Sequence, residues 1–80
     1  MRKLQRLAIN DEGFIFDPET GNSFTVNKTG LFIIKLLKDE ISEDEIIKKI
    51  TDEFEISEEE AQRDLLDFME HLRLLGLLEA

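Results

Sequence analysis

The pattern of apolar residues changes near residue 27, and this change limits the folds that the chain can adopt. Before that point, three short apolar runs are separated by turn-forming residues: Leu7–Ile9, Phe14–Phe16 and Ser23–Val26. After it, apolar residues recur every three or four positions, the spacing of one face of a helix. Connections as short as those between the three runs join antiparallel neighbours, so the front of the chain predicts a three-stranded meander.

Period-2 alternation along these strands predicts which side chains face the core. It places six apolar side chains on the buried face: Leu7, Ile9, Phe14, Phe16, Phe24 and Val26. Ser23 and Thr25 then point to the opposite side. A sheet of this size is marginal alone and needs helices packed against it.

Three polar residues suited to helix N-caps divide the back of the chain into three predicted helices: Asn27, Ser42 and Ser57. Both serines are followed three positions later by a glutamate, the pattern of a capping box. The predicted helices end near Lys38, Phe54 and Leu75. The first is apolar nearly all round, which indicates a central position in the domain.

The net charge of −9 is concentrated in one segment. Between Asp39 and Glu60 there are eleven acidic residues and two basic ones. Affinity for nucleic acid comes largely from Lys and Arg, so direct binding to DNA or RNA is not expected. Many of these acids fall in the first turns of helices, where they suit the positive helix N-terminus. The segment is interpreted mainly as a solvated helical face.

Residue types that carry catalysis are scarce in this chain. Its 80 residues make one domain, with a single His and no Cys, Tyr or Trp. His71 has no second His nearby, and Ser42 and Ser57 are explained as caps, so no nucleophile with its base and no metal cluster is predicted. No stretch approaches the roughly 18 apolar residues that span a bilayer, and no signal-peptide pattern follows the basic N-terminus. We expect a non-catalytic, cytoplasmic protein without metal or cofactor.

The last helix carries two apolar stripes. The first has spacings of three and four residues and comprises Ala61, Leu65, Phe68, Leu72 and Leu75. The second, with basic residues nearby, comprises Leu66, Met69 and Leu74. One interpretation makes the whole wide face part of the core. The other places part of it along a groove beside the sheet, where an apolar strip edged with bases accepts a ligand.

The order and spacing of several short motifs resemble the PqqD-like family. Val26–Ile34 is similar to the family's strand that ends in a hydrophobic-Asn pair before an apolar helix. Ile41–Ile47 resembles its next helix start, and Asp64–Leu72 with the closing Leu75–Leu78 resembles its last helix and terminal Gly-Leu-Leu. The resemblance covers about residues 5–79.

This resemblance implies a winged-helix-like α+β domain over residues 1–80, with a three-stranded antiparallel sheet followed by three helices. It implies a RiPP recognition element, that is, a chaperone for ribosomally made, modified peptides. Such a protein binds the leader segment of a precursor peptide by strand addition and presents it to a modifying enzyme, often a radical-SAM protein, as in coenzyme PQQ biosynthesis. By this mode the peptide-binding residues are Ser23, Phe24, Thr25, Val26, Leu66, Met69 and Arg73. A monomer that does not bind membranes is expected.

Two other functions remain open at this stage. The protein could be an acidic regulatory or scaffold subunit that docks on a basic region of a larger enzyme. It could also be a winged-helix DNA-binding regulator, although the helix from Ser42 to Phe54 would then bring five acids into a DNA groove. The same acidity disfavours an acidic leader peptide.

Overall fold

A computed structural model of the protein describes residues 2–78. Its elements, in chain order, are α1 (Arg2–Gln5), β1 (Ala8–Ile9), β2 (Phe14–Phe16), β3 (Ser23–Thr25), α2 (Lys28–Lys38), α3 (Glu43–Phe54) and α4 (Glu58–Leu74). The strands form one antiparallel sheet in the order β1-β2-β3, which confirms the predicted meander and the α+β class. The ends of the predicted 1–80 domain, at Met1, Glu79 and Ala80, lie outside the described residues. None of the helices within residues 2–78 has the length and apolar character that crossing a membrane requires.

All three predicted N-caps are present. The cap side chains accept hydrogen bonds from backbone N–H groups three residues on: Asn27 from Gly30 at 2.8 Å, Ser42 from Glu45 at 3.3 Å and Ser57 from Glu60 at 3.1 Å. Each bond satisfies a donor that the first helical turn leaves unpaired. At the far end of α4, Gly76 has a φ of +76°, and Leu77 N–H donates to the carbonyl of Leu72 at 2.9 Å. The last helix therefore ends close to the predicted position.

Strand β2 has the opposite phase from the predicted one. Ile15 is fully buried, whereas Phe14 and Phe16 are 55% and 44% exposed. In the register Ile15 lies between Ile9 and Phe24, so these three residues share the face that packs on the helices. The prediction that Phe14 and Phe16 are buried is wrong, because a three-residue apolar run fits either phase and only pairing with its neighbours decides between them. The remaining predicted members belong to the core or pack against it: Leu7, Ile9, Phe24 and Val26.

Helix α1 was not predicted. Leu4 within it is fully buried, and Leu7 after it is almost so. Two hydrogen bonds fix the segment to the end of α2: Gln5 Nε2 donates to the Lys38 carbonyl at 2.6 Å, and Lys38 Nζ donates to the Leu7 carbonyl at 2.8 Å. A four-residue helix has little stability of its own, so these tertiary contacts hold it.

The core lies between the inner face of the sheet and the helices. Helix α2 contacts α1, α3 and α4, which confirms its predicted central position. An edge-to-face pair of Phe32 and Phe54, with ring centroids 5.4 Å apart, joins α2 to α3. The fully buried side chains come from nearly every layer: Leu4, Ile15, Ile33, Ile34, Ile46, Ile50, Leu65 and Leu72. This packing leaves β3 and α4 side by side at one surface.

Candidate functional site

Strand β3 forms an edge of the sheet, and its backbone groups alternate in direction. Two backbone bonds flank its pairing with β2: Val26 N–H to the Gly13 carbonyl at 3.0 Å, and Asp17 N–H to the Asn22 carbonyl at 2.8 Å. Because bonded and non-bonded pairs alternate in an antiparallel ladder, Phe24 bonds to β2 while Ser23 and Thr25 direct their N–H and C=O groups outward. No segment within residues 2–78 hydrogen-bonds to these outward groups. The β3 edge is open.

Beside this edge, a furrow runs between β3 and α4, here called the β3–α4 furrow. The furrow consists of three successive pockets. From the start of β3 to the start of α2, their volumes are about 250, 200 and 320 Å³. The start of β3 lies beside residues 75–77, which follow α4. The end of β3 lies beside Phe68 and His71, in the middle of α4. The strand and the helix that form the two walls therefore run in opposite directions.

The furrow end at the start of β3 combines apolar side chains with a fixed ion pair. Phe24, Leu75 and Leu77 supply the apolar surface. At its rim, Arg6 Nε and Nη2 donate to the two carboxylate oxygens of Asp17 at 3.0 and 2.9 Å. These bonds from Arg6 hold the pKa of the buried Asp17 down, to about 2.

Arg6 has a second acidic partner at this end. Its Nη1 lies 3.1 Å from a carboxylate oxygen of Glu19, and Glu19 N–H donates to Asp17 Oδ1 at 3.0 Å. Two carboxylates thus surround one guanidinium. This end therefore presents an apolar surface and polar hydrogen-bonding groups rather than a free positive charge.

The opposite end of the furrow, at the start of α2, is acidic. Asp64 and Asp67 of α4 line it together with the polar Asn27 and Thr29. Among the side chains that the structure describes, neither aspartate has a basic group within 4.0 Å.

Gly30 lets α2 come close to α4 at this end. A Cβ built on Gly30 would lie 2.8 Å from Cε1 of Phe68 and 3.1 Å from Cβ of Val26. The absence of a side chain at this position allows the Phe68 ring to sit against the first turn of α2. Phe68 can thereby form part of the furrow wall next to β3.

The structure brings together four of the seven predicted site residues. These four line the furrow along β3: Ser23, Phe24, Thr25 and Val26. The other three predicted residues are Leu66, Met69 and Arg73. A helix turns about 100° per residue, which places them roughly opposite His71 around α4, away from β3. Leu66 is 59% exposed there, and Arg73 pairs with Glu70.

The α4 wall of the furrow consists of residues that the sequence did not identify. The sequence assigned Phe68 and Leu75 to the core stripe and gave His71 no role in binding. Together with Asp64 they follow a helical spacing of four, three and four residues, but two of the four are polar. Apolar periodicity therefore gave no signal for this wall. The approach of α2 at Gly30 and of β3 at Val26 defines it instead.

Comparison with known proteins gives a family match and two similar structures. Residues 12–78 match the family described as coenzyme PQQ synthesis protein D (PqqD). The fold is similar to TbiB1 in complex with the TbiA(beta) leader peptide, at 29% identity and a TM-score of 0.80, covering 92% of this chain and 87% of that one. It is also similar to a lasso peptide synthetase B1 complexed with the leader peptide, at 27% identity and a TM-score of 0.74, covering 88% and 84%. No curated protein sequence gives a significant match. Because the family match spans most of the chain and the fold agrees with it, this protein belongs to the PqqD family.

Proposed function

We propose that this protein is a non-catalytic adaptor that binds the leader segment of a precursor peptide in the β3–α4 furrow. The observation that carries the proposal is the open edge, where Ser23 and Thr25 direct unpaired backbone groups outward. An extended peptide satisfies such groups by adding a strand to the sheet. The two similar structures are both complexes with leader peptides, which supports this mode.

Recognition divides between the peptide backbone and its side chains. Backbone pairing to Ser23 and Thr25 accepts many sequences, because every peptide carries the same N–H and C=O groups. Alternate side chains of an added strand point to the helix side of the sheet. There they meet Phe24 on one wall and Phe68 and Leu75 on the other. We propose that these three residues select apolar side chains of the leader.

The proposed site differs from the sequence-based one on the helix side. Phe68, His71 and Leu75 replace Leu66, Met69 and Arg73 as the α4 wall, because they line the same pockets as β3. A contact between the bound peptide and Leu66, Met69 or Arg73 stays a prediction. Their flank of α4 is separated from β3 by the body of the helix.

The wider setting of the adaptor is proposed from family membership. We propose that it presents the bound leader to a modifying enzyme, a radical-SAM protein if the pathway is that of coenzyme PQQ. A monomeric state and a cytoplasmic location stay predictions of the sequence. DNA binding is not favoured, because the first turn of α3 carries Glu43, Asp44 and Glu45.

A backbone NMR titration tests the proposal. The labelled protein is titrated with synthetic leader segments of candidate precursor peptides, and with scrambled peptides of identical composition as controls. Chemical-shift changes are expected at residues 22–27 and at residues 64–77, which span the second half of α4 and the residues that follow it. The proposal fails if no leader segment produces changes there, or if scrambled peptides produce the same ones.

A further inference from the structure

The two ends of the β3–α4 furrow differ in charge. Asp64 and Asp67 line the end beside the start of α2, and neither has a basic group within 4.0 Å in the described part of the chain. At the other end, the Arg6 guanidinium is held between Asp17 and Glu19. A peptide lying along the furrow therefore meets carboxylates without an ion-pair partner at the Asp64 end, whereas the carboxylates at the other end are paired with Arg6.

The direction of an added strand decides which part of a peptide meets these acids. All pairs in the sheet are antiparallel, and an antiparallel fourth strand continues that pattern. β3 runs from the Arg6 end of the furrow towards the Asp64 end. An antiparallel peptide runs the opposite way, so its N-terminal part lies beside Asp64 and Asp67.

The open edge stops before it reaches the acids. Asn27, the next residue after Thr25 that would face outward, uses its side chain to cap α2 through the 2.8 Å bond from Gly30 N–H. Beyond this cap, the furrow floor is the first turn of α2, which offers no strand edge. Peptide residues at this end must therefore be recognised through their side chains.

Resting on the proposed peptide binding, we infer that the leader carries a Lys or Arg just N-terminal to the segment that pairs with β3. Asp64 and Asp67 bind this basic side chain at the acidic end of the furrow. The net charge of −9 adds a long-range attraction for a basic segment. Arg63, one helical turn before Asp67, makes no ion pair with it within residues 2–78 and leaves the carboxylate available.

A selection from displayed random peptides tests the inference for leaders of any sequence. The library is selected separately with the wild-type protein, with D64N/D67N and with D52N/E53Q. The last variant also removes two negative charges, but from exposed positions on α3 that do not line the furrow. Peptides recovered with the wild type and with D52N/E53Q are expected to share a Lys or Arg before an extended apolar segment. Those recovered with D64N/D67N are expected to lack this preference.

The affinity of one selected peptide makes the test quantitative. Replacing its basic residue by Gln is expected to weaken binding to the wild type by about two- to fivefold, the range for exposed ion pairs. The same replacement is expected to change binding to D64N/D67N little, and high salt should reduce the difference between the two proteins.

The possible outcomes separate this inference from the proposed function. Peptides that shift the NMR signals of Ser23 and Thr25 without any basic preference, or with the preference after the paired segment, overturn the inference and leave peptide binding intact. Selected peptides that leave those signals unchanged overturn the proposed site as well. Equal loss of the preference in D52N/E53Q would show that only net charge matters, and this also overturns the role of Asp64 and Asp67.

Discussion

The two edges of the small sheet differ in the hydrogen bonds that their outward backbone groups make with the rest of the chain. Directly after β1, Asn10 N–H donates to the Phe14 carbonyl at 3.0 Å, so by alternation Ile9 in the strand and Leu7 just before it face outward. The outward carbonyl of Leu7 accepts a bond from Lys38 Nζ at 2.8 Å. In β3, the outward groups of Ser23 and Thr25 make no hydrogen bond within the described residues, and in β1 the same holds for Ile9, so the two edges differ at the Leu7 carbonyl.

This difference shows that whether a strand edge is open depends on the contacts of its individual backbone groups. Unpaired strand edges favour association with other chains, and proteins usually cover or shorten them. At the β1 side, one outward group is bound: the carbonyl of Leu7, just before the strand, accepts from Lys38 at the end of α2. The β3 edge is short instead, because the helix cap at Asn27 ends it on one side and the turn after Asp17 on the other.

The largest expected effect comes from removing a donor on the open edge. Thr25→Pro deletes the outward N–H and places a ring where a peptide strand would approach, while the inward bonds of Phe24 remain. We expect at least a tenfold loss of leader affinity, about 1.4 kcal/mol, measured by calorimetry. Thr25→Val keeps the N–H and the β-branched shape and serves as the control. Equal affinities of the two variants, both folded by circular dichroism, would show that peptides do not pair with β3.

A smaller effect is expected beside β1, at the bound carbonyl of Leu7. Lys38→Met keeps the aliphatic stem but removes the bond to the Leu7 carbonyl, at a cost of about 1 kcal/mol in the free energy of unfolding. Lys49→Met, at an exposed position on α3, is the matched control and should change stability little. Peptide affinity should be unchanged in both variants. A gain in peptide binding by Lys38→Met would show that Lys38 alone distinguishes the two edges.

A further effect on stability, without an expected effect on peptide binding, concerns the ion pair that joins the chain before β1 to the turn before β3. Asp17 has a pKa of about 2 in the folded protein, below its ordinary value of 3.8, chiefly because of its bond to Arg6. The ionised carboxylate therefore stabilises the fold above pH 3.8, and this contribution is lost as the pH falls towards 2.

Urea unfolding over a pH series measures this contribution. Asp17→Asn should be less stable than the wild type at neutral pH, and the difference should disappear as the pH approaches 2. Asp52→Asn, at an exposed position, controls for the loss of one negative charge. A difference that persists unchanged at acidic pH would mean that the ion pair with Arg6 is not its source.

The sequence predicted the framework of the fold because its signals are local. Caps at Asn27, Ser42 and Ser57 act within three residues, so the helix starts could be placed from short motifs. The order of strands also followed from short connections. The open edge at Ser23 and Thr25 was predicted for the same reason, since the last strand of a meander is an edge by topology.

What the sequence did not predict depends on contacts between distant segments. The phase of β2 is decided by the pairing of Ile15 with Ile9 and Phe24, not by its own residues. Helix α1 is held by contacts with Lys38. The α4 wall was assigned to another flank of the helix, since a second apolar stripe suggested a groove there, whereas Phe68 and His71 line the furrow with β3.

Because the β3 edge is short, backbone hydrogen bonds alone give a bound peptide only a limited residence time. Ser23 and Thr25 together present two donors and two acceptors. At about 1 kcal/mol net for each hydrogen bond, these give about 4 kcal/mol. Immobilising each residue of the peptide costs about 1–2 kcal/mol in conformational entropy, so backbone hydrogen bonds alone do not give stable binding. In the proposed binding mode, the residence time of a peptide is then determined by a few side-chain contacts, so the peptide dissociates without unfolding of the protein.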